Sequence, residues 1–202
     1  MTLLIFPFQA ELEAYLSGLP AVGESVRGIR VLRPEAQPEC RLAVCGQGKV
    51  EAALACQILA DALLPGMVLL LGSATALDPS LEIGALVKAD PCIEWDFGAE
   101  PPPRFQAAAL PVFAGIRAGP VLSGDRNVFD AAQKNALFIR HGALALAWEG
   151  AGFHRFLRRS GLPGGEFRLI TEAADSGKPS LADLRGRMRN GFAPLHPLIQ
   201  GL

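Results

Sequence analysis

Short apolar runs alternate along this chain with longer stretches of helical periodicity, and that alternation limits the folds open to it more than any other feature. LLIF (3–6), RLAVC (41–45), MVLLLG (67–72), ALVKAD (85–90), PVLSGD (120–125), ALALAWEG (143–150) and GEFRLITEAAD (165–175) read as strands. AELEAYLSG, VEAALACQILADALL (50–64), FDAAQKNALFIRHG and AGFHRFLRRSG (151–161) read as helices. In the second of these, apolar residues at 50, 53, 54, 58 and 62 fall on one face. MVLLLG is apolar throughout, as strands covered on both faces of a parallel sheet are. SLADLRGRM (180–188) opens a last helix, with Ser180 as N-cap and Asp183 as its capping-box partner. Pro and Gly punctuate 19–40, which holds a short strand at Ile29–Leu32, and EPPPRF (100–105) reads as a loop. The pattern implies an α/β fold with a mostly parallel sheet. A chain of 202 residues, half of them hydrophobic, can bury the core of one domain, two at most.

Charge and cysteine usage narrow the function classes. Lys and Arg number 19 against 20 Asp and Glu, for a net charge of −1, so no basic excess favours nucleic acid and no polybasic run favours a membrane surface. Each apolar run is much shorter than the roughly 20 residues that span a bilayer. MTLLIFPFQAELEAYL lacks the charged start of a secretory signal, and the expectation is a soluble, cytoplasmic protein. Cys40, Cys45, Cys56 and Cys92 form no CxxC pair, and Cys45 and Cys56 read as core thiols. His141, His154 and His196 are scattered, which argues against a metal site. His154, Arg155, Arg158 and Arg159 read as the solvated face of a helix.

In α/β folds ligands sit at the carboxyl ends of the strands. That rule selects Gln9 and Glu11, Gly46-Gln47-Gly48, Gly72-Ser73, Ser123-Gly124-Asp125, Trp148-Glu149, Arg168, and Thr171-Glu172 through Asp175. Several acids, two small-residue turns and one Arg would share an edge, which suits a small polar ligand better than a phosphate. CGQGKVEAA begins like the dinucleotide fingerprint GxGxxG. Its third position is Glu51, however, where Gly or Ala is needed for close packing, and it does not follow the first strand. A tight turn that uses Gly46 and Gly48 is the simpler reading.

GQGKVEAA (46–53), LLLGSATALDPSLEIGALVKAD (69–90), VLSGD (121–125), AWEGAG (147–152) and RLITEAAD (168–175), in this order, resemble the nucleoside phosphorylase and nucleosidase superfamily that includes methylthioadenosine/adenosylhomocysteine nucleosidases. The resemblance covers nearly the whole chain and is weakest at 19–40 and 91–118. It implies one domain over 1–202, a three-layer αβα sandwich with a mostly parallel mixed sheet, a homodimer, a small-molecule nucleoside substrate, and no cofactor or metal. Phosphorylases of this type carry an Arg two residues before the Gly-Ser turn, where this chain has Leu70, and their first loop is not acidic like PFQAELEAY. Leu70 cannot neutralise a phosphate dianion, so water is favoured as the nucleophile.

By the same resemblance, Ser73 and Ala74 would lie beneath the ribose, and Glu11 would be the base that activates water, oriented by Arg168. Glu149 would bind the ribose hydroxyls, and Trp148 would stand against the sugar or base where the nucleosidases commonly have Met. Asn127 and Val128 would line the base. The purine-side acid, typically Asp, becomes either Glu172 or Asp175, and Thr75-Ala76 replace a usual Gly-Gly. The chemistry needs such groups: anions stabilise the cationic sugar formed as an N-glycosidic bond breaks, and an acid stabilises the departing base. Plainer roles stay open at this stage, with Glu11 on a solvated helix face, Ser73 as a cap, and Arg168 paired with Glu166. Within the same chemistry, futalosine hydrolysis and the hopanoid-associated nucleoside-cleaving branch are alternatives. A phosphate-dependent phosphorylase and a non-catalytic nucleoside-binding module are others.

Overall fold

Period-2 alternation in the two central strands assigns the layers. A computed structural model describes every residue except 107–109, 111–113, 178–179, 189–190 and 202. In chain order its elements are β1 (Thr2–Phe6), α1 (Gln9–Leu16), β2 (Ala21–Val26), β3 (Ile29–Pro34), β4 (Cys40–Val44), α2 (Lys49–Leu63), β5 (Met67–Ala76), β6 (Leu86–Glu94), β7 (Arg104–Phe105), β8 (Arg117–Ser123), α3 (Ala131–His141), β9 (Ala145–Ala147), α4 (Gly150–Ser160), β10 (Gly164–Glu172), α5 (Leu181–Met188) and α6 (Leu195–Gln200). β1 pairs in parallel with β4 on one side and β5 on the other. Leu4, Phe6, Leu69 and Leu71 point to one face and pack with Leu12 and Tyr15 of α1, Met188 of α5, and Leu195 and Ile199 of α6. Leu3, Ile5, Val68 and Leu70 point to the other and pack with Ala52, Cys56 and Leu59 of α2 and Phe153, Phe156 and Leu157 of α4. The result is the expected α/β sandwich of helices, sheet and helices.

Beyond this centre the sheet curls back on itself. β5 pairs in parallel with β10, and its last residues, Thr75 and Ala76, turn to pair antiparallel with β9. β10 continues antiparallel to β6, β6 runs parallel to β8, and β8 parallel to β9, so five strands close into a ring. Small residues fill the ring: Ala74, Ala76, Ala89, Ala145 and Ala147 pack there with Val87, Val121 and Ile170. β8 and β9 end side by side at Ser123 and Ala147, while β5 runs past β9 in the opposite direction.

Segment 19–40 forms a full hairpin, β2–β3, rather than one short strand. Its turn is Arg27-Gly28, both with positive φ (49° and 87°). Arg in that position hides the usual Asn-Gly signal, and the four central residues of β2 are exposed, so no apolar alternation marks the strand. The capping box of α5 forms as expected, with Asp183 N donating to Ser180 Oγ (3.1 Å) and Ser180 N to Asp183 Oδ2 (3.2 Å). Among the described residues no helix is long and apolar enough to cross a membrane.

Candidate active site

The Gly-Ser step that ends the apolar part of β5 makes room for an arginine. A Cβ on Gly72 would stand 2.5 Å from Arg168 Nη1, so only glycine lets the guanidinium of β10 cross this strand. Arg168 is fully buried. Its Nη1 donates to Glu149 Oε2 (3.0 Å) and to the Ser73 carbonyl (3.4 Å), and its Nε donates to Glu166 Oε1 (2.7 Å). The pairing with Glu166 and a place in the site are therefore both realised by one side chain. Nη2 is buried without a partner among the described residues.

Glu11 is not on a solvated face; it is 1% exposed. One oxygen closes the start of α1 by accepting Phe8 N–H (3.0 Å). The other accepts both the backbone N–H and the hydroxyl of Ser73, each at 2.6 Å. Burial pushes the Glu11 carboxyl up to about 7, although the two Ser73 hydrogen bonds act to lower it. Such a group titrates where a general base is useful.

Glu149 is held at the β9–α4 corner. Its Oε2 takes Arg168, and its Oε1 accepts Gly48 N–H (3.3 Å), which gives the GQG turn a task in the site. Gly46 and Gly48 have φ of 89° and 93°, as the tight-turn reading requires. The buried Ser123 fixes the corner itself by donating to the Trp148 carbonyl (2.7 Å) and accepting Ala151 N–H (2.8 Å).

Behind Arg168 lies a pair that the sequence did not announce. Glu166 Oε2 meets His154 Nε2 at 3.1 Å, with both side chains buried. His154 is thus not on a solvated helix face, because α4 presses it against β10. Arg158 and Arg159 are exposed as expected, and Arg155 is half-buried against Glu94. Burial acts to raise Glu166, but the Arg168 charge and the His154 hydrogen bond outweigh it and hold the carboxyl down at about 2. Cys92, His154 and Glu166 have donor atoms within 4.8 Å of one another, with both Glu166 oxygens already engaged by Arg168 and His154.

These groups border a cavity of about 430 Å³ lined by Phe8, Gln47, Ser73, Ala74, Thr75, Asn127, Val128, Phe129, Leu146, Ala147, Trp148, Glu149, Thr171, Glu172 and Leu184. Of the ten candidate residues, Ser73, Ala74, Asn127, Val128, Trp148, Glu149 and Glu172 line it. Glu11 and Arg168 lie directly behind Ser73 and Glu149. Asp175 is exposed and not among the lining residues. Glu172 reaches the wall with a buried Oε2 that has no partner among the described residues. Trp148 meets Phe8 edge-on, ring centroids 6.5 Å apart.

Phe8, Phe129 and Leu184 were not expected. Phe8 lies one residue before the selected Gln9, whereas Leu184 arrives from a distant helix that no local signal connects to the site. Lys134 of α3 is also unexpected. It is fully buried and donates to the carbonyls of Ala173 (3.2 Å) and Ser176 (2.6 Å), pinning the loop after β10. Burial lowers the Lys134 amine despite Glu172 and Asp175 nearby.

Buried carboxylates thus gather around Arg168 at the edge of a cavity in an α/β fold. The family model described as the phosphorylase superfamily matches residues 6–190, and the chain belongs to that superfamily. No curated protein sequence matches significantly. Among solved structures, the chain is similar to the 5'-methylthioadenosine/S-adenosyl homocysteine nucleosidase of Helicobacter pylori, with TM-score 0.84 and 19% identity over 100% of this chain and 98% of that one. It is similar to the futalosine hydrolase of H. pylori strain 26695, with TM-score 0.82 and 18% identity over 100% and 97%. The Campylobacter jejuni 5'-methylthioadenosine/S-adenosyl homocysteine nucleosidase matches with TM-score 0.80 and 17% identity over 100% and 99%.

Proposed function

We propose that the protein is a purine nucleoside N-ribohydrolase that cleaves the N-glycosidic bond of a 5'-substituted nucleoside with water. The observation that carries this reading is the charge of the cavity wall: the described lining residues include Glu149 and Glu172 but no Lys or Arg. Arg168, behind Ser73 and Glu149, is already shared between Glu149 and Glu166. Leu70, where a phosphorylase would hold phosphate, is buried in the core between β5 and the α2–α4 layer. A phosphate dianion entering this cavity would meet Glu149 and no cation among the described lining residues; a cationic sugar would be stabilised by Glu149.

In this reading Glu149 faces the ribose and its charge stabilises the oxocarbenium-like sugar. Water attacks C1' as the C–N bond breaks and its electrons pass to the base. Because Ser73 Oγ–H already donates to Glu11, the attacking water gives its proton to Ser73 Oγ while the Ser73 proton moves to Glu11. Glu172 acts as the general acid: its Oε2, without a partner among the described residues, gives a proton to the base as the C–N bond breaks, and Glu172 is left as the carboxylate. Trp148 and Phe8 form an aromatic wall, and Asn127 and Val128 line the base end. The structurally similar proteins act on two kinds of nucleoside, and the 5'-substituent follows from assay.

The test is release of free base from methylthioadenosine, adenosylhomocysteine, inosine, adenosine and futalosine in phosphate-free buffer. Release supports the hydrolase, and the best substrate names the branch. Purine binding without release from any nucleoside would make the chain a binding module. The same reading carries a homodimer and a cytoplasmic enzyme; sedimentation velocity tests the first, and fractionation of the source cells the second.

A further inference from the structure

Glu166 is a fully buried charge, next to the site, that takes no part in the mechanism. It lies on β10, whose residues Gly164–Thr171 are all buried. A buried carboxylate in such a strand is costly unless it has a function or full pairing. Room has been made for it: a Cβ on Gly150 would meet Glu166 Oε2 at 2.6 Å and Cys92 Sγ at 2.9 Å. Gly150 is the residue after Glu149, so the corner that presents Glu149 is kept bare to admit Glu166 beneath it.

Charge explains the arrangement. Without Glu166, the Glu149–Arg168 pair would be neutral by itself, and the sugar cation would be left with the charge of the ionised Glu11 behind Ser73. Arg168 instead holds two carboxylates, and its contact with Glu166 (2.7 Å) is shorter than that with Glu149 (3.0 Å). With His154 on the second Glu166 oxygen, the guanidinium is fixed by Nε from behind while Nη1 reaches forward. We propose that Glu166 is a positioning residue for the reaction. It offsets the Arg168 charge, so that Glu149 presents a net negative charge to the cationic sugar. The inference rests on the nucleoside-cleaving reading of the same site.

The test compares binding of two purine analogues by calorimetry, one with a pyrrolidine ring in place of ribose, cationic at neutral pH, and its neutral carbocyclic counterpart. Wild-type protein should prefer the cation. In Glu166→Gln, which keeps the shape and a hydrogen-bonding group, affinity for the cation should fall about tenfold, equivalent to about 1.4 kcal/mol. Affinity for the neutral analogue should stay within about twofold, well under the tenfold step of 1.4 kcal/mol. Equal losses for both analogues, or no loss, would assign Glu166 a purely structural role and overturn the proposal. If Glu166→Gln does not fold, Glu166→Asp is measured instead. Its carboxylate is withdrawn by one methylene, so the cation should again lose more affinity than the neutral analogue, and an equal loss overturns the proposal. Wild-type protein that binds neither analogue would refute the nucleoside reading itself, and the inference with it.

Discussion

Ser73→Ala removes one hydrogen bond from the group on which water activation depends, and its effect can be worked out in advance. Glu11 Oε1 accepts two hydrogen bonds from Ser73, and the substitution deletes the one from Oγ while the backbone N–H stays. A hydrogen bond to a charged acceptor contributes about 1.5–3 kcal/mol, and one pKa unit is about 1.4 kcal/mol. Glu11, pushed up by burial to about 7, should therefore rise by about one to two further units, since what is lost favours the carboxylate. If Glu11 must be ionised to act, kcat/KM of the wild type falls as pH drops through about 7. In Ser73→Ala the same limb should lie about one to two units higher, on a plateau lowered by about 10²-fold or more for loss of the proton-relaying hydroxyl. The assay is base release from the best substrate between pH 5 and 10. A limb that stays in place, or moves to lower pH, would show that another group sets it and would refute this assignment of the base.

Other perturbations test separate parts of the account. Glu11 takes up its proton more readily folded (about 7) than at its ordinary value of 4.5, so the neutral form's contribution is complete below 4.5 and is lost as pH rises to 7. Glu11→Gln should then unfold at higher temperature than wild type at pH 8, by up to about 3 kcal/mol before losses in hydrogen bonding, and show little gain at pH 4. Thermal melts at the two pH values decide this. Glu149→Gln should lower kcat by about 10²–10³-fold with an unchanged far-UV circular dichroism spectrum. Glu172→Gln should impair base release while Asp175→Asn, altered at an exposed position, stays near wild type in the same assay. Gly152→Ala should destabilise by about 1–3 kcal/mol or more in urea, because its Cβ would overlap the Lys49 carbonyl where α4 crosses α2.

The strands and the residues at their ends were legible because period 2 and carboxyl-end placement are local or topological rules. Leu3 against Leu4, and Val68 against Leu69, sort themselves to opposite faces with no further information. Ser73, Glu149 and Glu172 follow from the places where apolar runs stop. The closed ring was not legible, since the β5–β9 and β10–β6 pairings join segments far apart in sequence and leave no periodic trace. Lys134 hides in the polar stretch AAQKN, and only the loop from 173 to 176 folding over α3 makes it a buried residue. His154 hides beside Arg155, Arg158 and Arg159. Yet it is four residues from Gly150, on the inner stripe of α4, and that spacing was the one available signal. Between Glu172 and Asp175 the sequence left a choice, which the three-residue difference in position turns into one lining side chain and one exposed one.

The central claim is that water, not phosphate, receives the sugar. The most direct measurement is to incubate the best substrate with enzyme in excess phosphate and identify the sugar product by mass. The account predicts free 5-substituted ribose, formed at the same rate when phosphate is omitted. A ribose 1-phosphate product, formed only when phosphate is present, would contradict it.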